Sequence, residues 1–242
     1  MKVGGGGLIN SVTIAGTVAV VTAAVSKHGV EALAGYGLGS RLEIIITPLV
    51  FGIGSVLTAT VGINVGAQQL PRAKMIAWTG AFISFCVVGL LGATVTIFPD
   101  VWLNNFESST LIRDYATSYL IIVAPFYCFF AAGQTLYFAS QGLGKIFYPV
   151  IVGIIRLLSV SIICYYVTFY DLSLNFVFYG VSFGLLATGL GLWMCMLGPD
   201  WKKQIWHIYG FFDYPKKDIE YIAIFSTQKN KKIPTTTFML FY

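Results

Sequence analysis

Few side chains in this sequence could do chemistry, and most of those stand inside long apolar runs. Arg156 lies about ten residues into one run, near its middle, and Glu43 about seven residues into another, with Arg41 two positions before it. A charge at the centre of a membrane helix costs roughly 2.5–3.5 kcal/mol even on a lenient insertion scale. Arg156 is therefore expected to face protein or water. Helical residues two apart are about 200° apart around the axis, so Arg41 and Glu43 cannot share a face; one is expected to reach toward headgroups while the other turns into the bundle. A contact between Glu43 and Arg156 is one arrangement that would neutralise both. Asn10, Asn64, Gln68, Gln134 and Gln141 add uncharged donors and acceptors in or near the runs, suited to interhelical hydrogen bonds or to lining a polar route.

Enzyme chemistry has little to work with. His28 and His207 are the only histidines, both outside the apolar runs, and neither belongs to a His-Glu-x-x-His zinc pattern. No phosphate-binding Gly-x-x-x-x-Gly-Lys-Ser/Thr loop is present; Gly142-Leu143-Gly144-Lys145 has the wrong spacing and reads as a turn. Cys86, Cys128, Cys164 and Cys195 all fall in apolar runs without metal-ligand or disulfide-framework spacing, and are expected to be packing residues. We expect neither an enzyme nor a cofactor.

The elements that carry these residues follow from composition. Of 242 residues, 57% are hydrophobic and only 10% charged, with a mean hydropathy of +0.78, whereas a soluble domain holds roughly 25% charged and 45–50% apolar residues. The relevant unit is the bilayer span of about 20 apolar residues. Six are expected, over about 8–25, 36–65, 75–98, 115–139, 146–169 and 172–197, within an all-α membrane domain covering 1–200. The first is longer than a signal-peptide apolar region and is followed by five more spans, which argues against cleavage.

The net charge of +5 is concentrated in a C-terminal tail: residues 1–200 hold eight Lys/Arg against seven Asp/Glu, and 201–242 hold seven lysines against three acids. That distribution fits a cytoplasmic membrane-side tail, interfacial or disordered, and not a nucleic-acid surface. Lys2, Arg72, Lys74, Lys145 and the tail lysines fall on one side, while Lys27, Arg113 and most loop acids fall on the other. Positive-inside bias then places both termini in the cytoplasm of a multi-pass cell-membrane protein. Trp102, Trp193 and Trp201 lie at or near span ends, as depth anchors do.

Gly35-x-x-x-Gly39, Gly62-x-x-x-Gly66 and Gly180-x-x-x-Gly184 each present two glycines on one helix face, suited to close static packing or to faces that slide. Pro48, Pro125 and Pro149 each remove a backbone donor and are expected to kink their helices.

Two stretches are recognisable. One is Ala34-Gly35-Tyr36-Gly37-Leu38-Gly39-Ser40-Arg41-Leu42-Glu43, followed by Val61-Gly62-Ile63-Asn64-Val65-Gly66-Ala67 and the basic turn at Arg72. The other is Gly133-Gln134-Thr135-Leu136-Tyr137-Phe138-Ala139-Ser140-Gln141-Gly142-Leu143-Gly144-Lys145, with Pro149, Gly153 and Arg156 following. Together they resemble the second half of multidrug and toxin extrusion (MATE) transporters, over about residues 7–200. The resemblance implies a six-helix lobe of a two-lobe antiporter that exchanges H⁺ or Na⁺ for small organic, often cationic, compounds. It also implies that a first lobe, from another chain or a second copy, completes the transporter, since alternating access needs two bodies moving around a shared site.

Members of one branch carry a Glu in the seventh helix and an Asp in the tenth, whereas Leu8–Val25 and Tyr115–Ala139 here hold no carboxylate. Glu43 is the only acid placed inside a span and is the candidate for proton linkage. The candidate pathway or coupling residues are Asn10, Glu43, Asn64, Gln134, Tyr137 and Arg156. The competing expectation is a nonfunctional or purely structural six-helix membrane fragment.

Overall fold

The computed structural model describes residues 2–197, with side chains from Gly7 onward. The basic tail expected over 201–242, with Trp201 and His207, lies outside the described residues. Eight α-helices follow in order: α1 (Lys2–Ser26), α2 (Val30–Gly66), α3 (Leu70–Ile97), α4 (Pro99–Leu103), α5 (Thr110–Val123), α6 (Tyr127–Gly142), α7 (Phe147–Phe169) and α8 (Leu174–Leu197). A single 3₁₀ turn, Ala124–Phe126, joins α5 to α6. Six segments are long and apolar enough to cross a membrane: Gly7–Ser26, Val30–Gly66, Leu70–Ile97, Thr110–Gly142, Phe147–Phe169 and Leu174–Leu197.

These helices satisfy the condition that hydrocarbon imposes, that backbone polar groups find partners within the protein. Their hydroxyls follow the same rule by bonding back to the preceding turn, as Thr22 does to the Val18 carbonyl, Thr94 to Leu90 and Ser159 to Ile155. Large apolar side chains such as Leu8, Ile44, Leu90, Phe147 and Met194 point outward. That arrangement suits a protein whose surrounding solvent is lipid.

The expected spans all correspond to helices, with two differences in form. The second is 37 residues long, about 55 Å at 1.5 Å per residue, because the helix continues through Val30–Gly35 beyond the apolar stretch. The fourth is two helices, since Pro125 breaks it at the 3₁₀ turn. The other two prolines do not interrupt their helices: α2 continues through Pro48, and Pro149 sits in the first turn of α7, where no intrahelical donor is lost.

α6 is the central helix, packed on α2, α3 and α8, while α1 rests mainly on α7 and α7 on α8. Residues Ala131 through Tyr137 of α6 are all buried. Small residues set the approach distances: a Cβ on Gly133 would lie 2.9 Å from the Gly189 Cα, and one on Gly180 would lie 2.7 Å from Ile163 Cγ2. Gly35 and Gly39 likewise back directly onto Tyr115 and Tyr119 of α5, whereas Gly66 faces open space. Two of the three glycine pairs are thus close-packing faces.

Two turns at one end of the bundle are tied by His28, between α1 and α2. Its Nδ1 lies 3.2 Å from the Ala24 carbonyl oxygen and its Nε2 lies 3.1 Å from the Leu172 carbonyl oxygen in the α7–α8 turn. At the same end Trp102 donates to the Leu38 carbonyl over 3.1 Å, so this span-end tryptophan also bonds one helix to another. Trp193 packs edge-on to Trp78 at 5.7 Å. Cys128 and Cys164 are buried as expected of packing residues, while Cys86 is exposed on α3.

Candidate functional site

Tyr36, Gly39, Glu43 and Ile46 recur at helical spacing along α2, so they form one stripe facing the bundle interior. Gly39 lacks a side chain where the Tyr119 ring of α5 presses against α2. The ring is held edge-on by Tyr36 at 5.3 Å and by Phe178 of α8 at 5.1 Å. This clamp aims the Tyr119 hydroxyl at Glu43 Oε1, to which it donates a hydrogen bond. Tyr127, on the first turn of α6 beyond the Pro125 break, donates to the same oxygen over 3.1 Å.

Arg156 of α7 approaches from the other side and is only 6% exposed. Its Cζ lies 6.0 Å from the Phe130 ring centroid, and its Nε is buried without a hydrogen-bond partner. Gly184 of α8 gives the arginine stem room, since a Cβ there would lie 3.5 Å from Arg156 Cγ. Glu43, Arg156 and the three tyrosines line a cavity of about 80 Å³, completed by Thr17 of α1 and Thr47 of α2 among others. Such a cavity has room for several molecules of water size.

The two charges line one cavity, but they do not form the ion pair that sequence spacing allowed. Among the described residues, the ion pair within 4.0 Å is Arg113–Asp100, between the α4 and α5 helices. The hydroxyls of Tyr119 and Tyr127 supply the hydrogen bonds that Glu43 would otherwise seek from the guanidinium. Arg41 separates from Glu43 as expected: it is exposed, with its guanidinium 5.4 Å from the Phe106 ring centroid.

The other candidates do not join this cavity. Asn10 sits on α1 where it meets α7, its Oδ1 within 3.6 Å of a Cβ built on Gly153. Asn64 donates within its own helix, to the Thr60 carbonyl over 2.8 Å. Gln134 is buried in α6 with its Nε2 unpartnered, beside the α6–α3 bridge from Thr135 to Ser84 at 2.8 Å. Tyr137 is buried in a small cluster with Ile146 and Leu192. Tyr119, Tyr127, Thr17 and Thr47 are not among the sequence candidates, and neither is Tyr36, although it stands in the recognisable stretch that ends at Glu43. Their one sequence signal is a hydroxyl inside an apolar span. Among the described residues, no three His, Cys, Asp or Glu gather to hold a metal ion.

The sequence pattern of the MatE family matches residues 8–167. The chain is 29% identical over 122 residues to the FAD transporter of Shewanella oneidensis, a match that spans 49% of this chain and 27% of that one. The fold is similar to that of the MATE transporter ClbM in complex with Rb⁺, with a TM-score of 0.75 at 21% identity, covering 84% of this chain and 48% of that one. It is also similar to the Vibrio cholerae MATE transporter VcmN in the bent form, with a TM-score of 0.71 at 17% identity, covering 80% of this chain and 44% of that one. The chain thus spans less than half the length of these relatives, all of which are named as transporters. With the family pattern covering well over half of its residues and the fold agreeing, the chain belongs to the MatE family.

Proposed function

We propose that this chain forms one six-helix lobe of a two-lobe transporter that exports small organic compounds in exchange for protons, with Glu43 as the proton-carrying residue. The observation that carries this reading is the Glu43 carboxyl, held by two tyrosine hydroxyls beside a cavity where α1, α2, α5, α6, α7 and α8 converge. A carboxyl so placed can take and release a proton without exposing a bare charge to hydrocarbon. The cavity of about 80 Å³ is far below the roughly 300–1,000 Å³ of pockets that hold drug-sized molecules. Substrate is therefore read as binding outside this cavity, between this lobe and a second six-helix body supplied by a first lobe or by a second copy. The protein lies in the cell membrane with the tail and the N-terminus on the cytoplasmic side, as its lysine and arginine distribution favours.

The test is dye accumulation in cells deprived of their own efflux pumps and expressing this chain together with any first lobe encoded beside it. Expression lowers accumulation, collapse of the proton gradient restores it, and Glu43→Gln abolishes the effect while the protein remains in the membrane. Efflux that depends on a Na⁺ gradient alone would overturn the choice of ion. Efflux indifferent to both gradients would overturn antiport.

A further inference from the structure

Arg156 is the cation of this cavity and Glu43 its acid. The remaining polar lining is hydroxyl: Thr17 from α1, Tyr36 and Thr47 from α2, Tyr119 from α5 and Tyr127 from α6, while α8 contributes only Val181, Gly184 and Leu185. The buried Cys164 thiol stands two turns along α7 from Arg156. When Glu43 is ionised, the cavity charges cancel. When Glu43 is protonated, the guanidinium remains charged, with its Nε buried and unpartnered and, among the described residues, no carboxylate within ion-pair distance. An uncompensated buried charge is strongly unfavourable, so an accessible counter-ion would be drawn to it.

We propose that the cavity binds one small inorganic anion, chloride in the simplest case, against Arg156 when Glu43 is protonated. The proton and the anion then occupy the lobe together and leave it together. Three features select this class of ligand. The volume of about 80 Å³ readily admits an ion of roughly water size. The guanidinium offers several N–H donors, of which the sealed Nε is one without a partner. Threonine and tyrosine hydroxyls can turn their protons toward an anion on the same wall. This inference rests on the reading of Glu43 as the proton carrier.

The experiment is calorimetric titration of chloride into the purified full chain in detergent, with gluconate as the balancing anion, at about pH 5.5 and about pH 8. By reciprocal linkage, an anion that binds with a proton binds more tightly at the lower pH, by about tenfold per pH unit where the coupling is complete. Wild type is expected to show saturable binding that weakens by at least about tenfold at the higher pH. Glu43→Gln is expected to bind at both pH values alike, Arg156→Gln at neither, and Arg156→Lys to retain binding. Absence of saturable chloride binding in both wild type and Glu43→Gln would overturn the proposal. So would undiminished binding in Arg156→Gln, or the same pH dependence in Glu43→Gln as in wild type. If Arg156→Gln does not fold, the comparison of wild type with Glu43→Gln still decides. Dye efflux by Glu43→Gln reports separately on proton coupling: persistent efflux would sink the assignment of Glu43 as the proton carrier, whereas the titration alone decides the anion site.

Discussion

Glu43 and Arg156 line the same buried cavity without forming an ion pair, because two tyrosine hydroxyls donate to one oxygen of the carboxyl. In a soluble core this separation would be costly. Inside a membrane lobe it keeps a proton-accepting group and a fixed positive charge in one small chamber, each with neighbours that can respond when the other changes.

Removing these donors is expected to weaken the fold through Glu43 specifically. Tyr127→Phe and Tyr119→Phe should each lower unfolding free energy in detergent by about 1–3 kcal/mol, the usual cost of stranding a buried hydrogen-bonding group. In a Glu43→Leu background, the same tyrosine changes should cost clearly less. Equal costs in both backgrounds, measured by chemical denaturation, would show that the tyrosines act by packing alone.

Close approach between α8 and α7 depends on Gly184, where a Cβ would lie 2.6 Å from Val160 Cγ2 and 3.5 Å from Arg156 Cγ. Gly184→Val is expected to destabilise by about 1–3 kcal/mol and to impair efflux by displacing Arg156. Gly37→Ala, at a position where a Cβ meets nothing within 4 Å, should raise stability by about 0.5–1 kcal/mol through helix propensity. Thermal melts of the two variants against wild type check both signs.

The His28 ring faces a carbonyl oxygen at each nitrogen, and carbonyls only accept. The ring thereby ties the end of α1 to the α7–α8 turn. His28→Ala is expected to lower the melting temperature in detergent by an amount equivalent to about 1 kcal/mol. A melt unchanged from wild type would show that the ring ties nothing.

Orientation can be read by labelling. In a background without native cysteines, Lys27→Cys in the α1–α2 turn should react with a membrane-impermeant maleimide on intact cells. Gln69→Cys in the α2–α3 turn, also exposed, should react only after permeabilisation. The reverse pattern would invert the lobe in the membrane.

Much of this architecture was legible before any coordinates, for reasons specific to lipid. A run of about 20 apolar residues has few alternatives to a spanning helix, so all six spans appear as helices. The end of an apolar run is not the end of a helix, however. Val30–Gly35, with Glu31 exposed at its start, extends α2 past the point where hydropathy marks a boundary. Proline position was harder to read: Pro48, Pro125 and Pro149 look alike in sequence, yet only Pro125 interrupts its helix. Near that break the Ser182 hydroxyl of α8 donates to the Ile122 carbonyl over 2.9 Å. A partner from another helix cannot be seen in the local sequence.

By itself, the sequence determined that the chain lives in lipid, that six helices cross it, that Arg156 must face protein or water, and that Arg41 and Glu43 must turn opposite ways. Those conclusions follow from transfer costs and helical periodicity, which act residue by residue. What Glu43 and Arg156 meet when they turn inward depends on how four other helices pack against α2 and α7, and only the tertiary structure decided it. In place of an ion pair with Arg156, one of the arrangements open to it, the carboxyl is bonded to Tyr119 and Tyr127, because those hydroxyls are carried to Glu43 by the clamp at Gly39 and the break at Pro125.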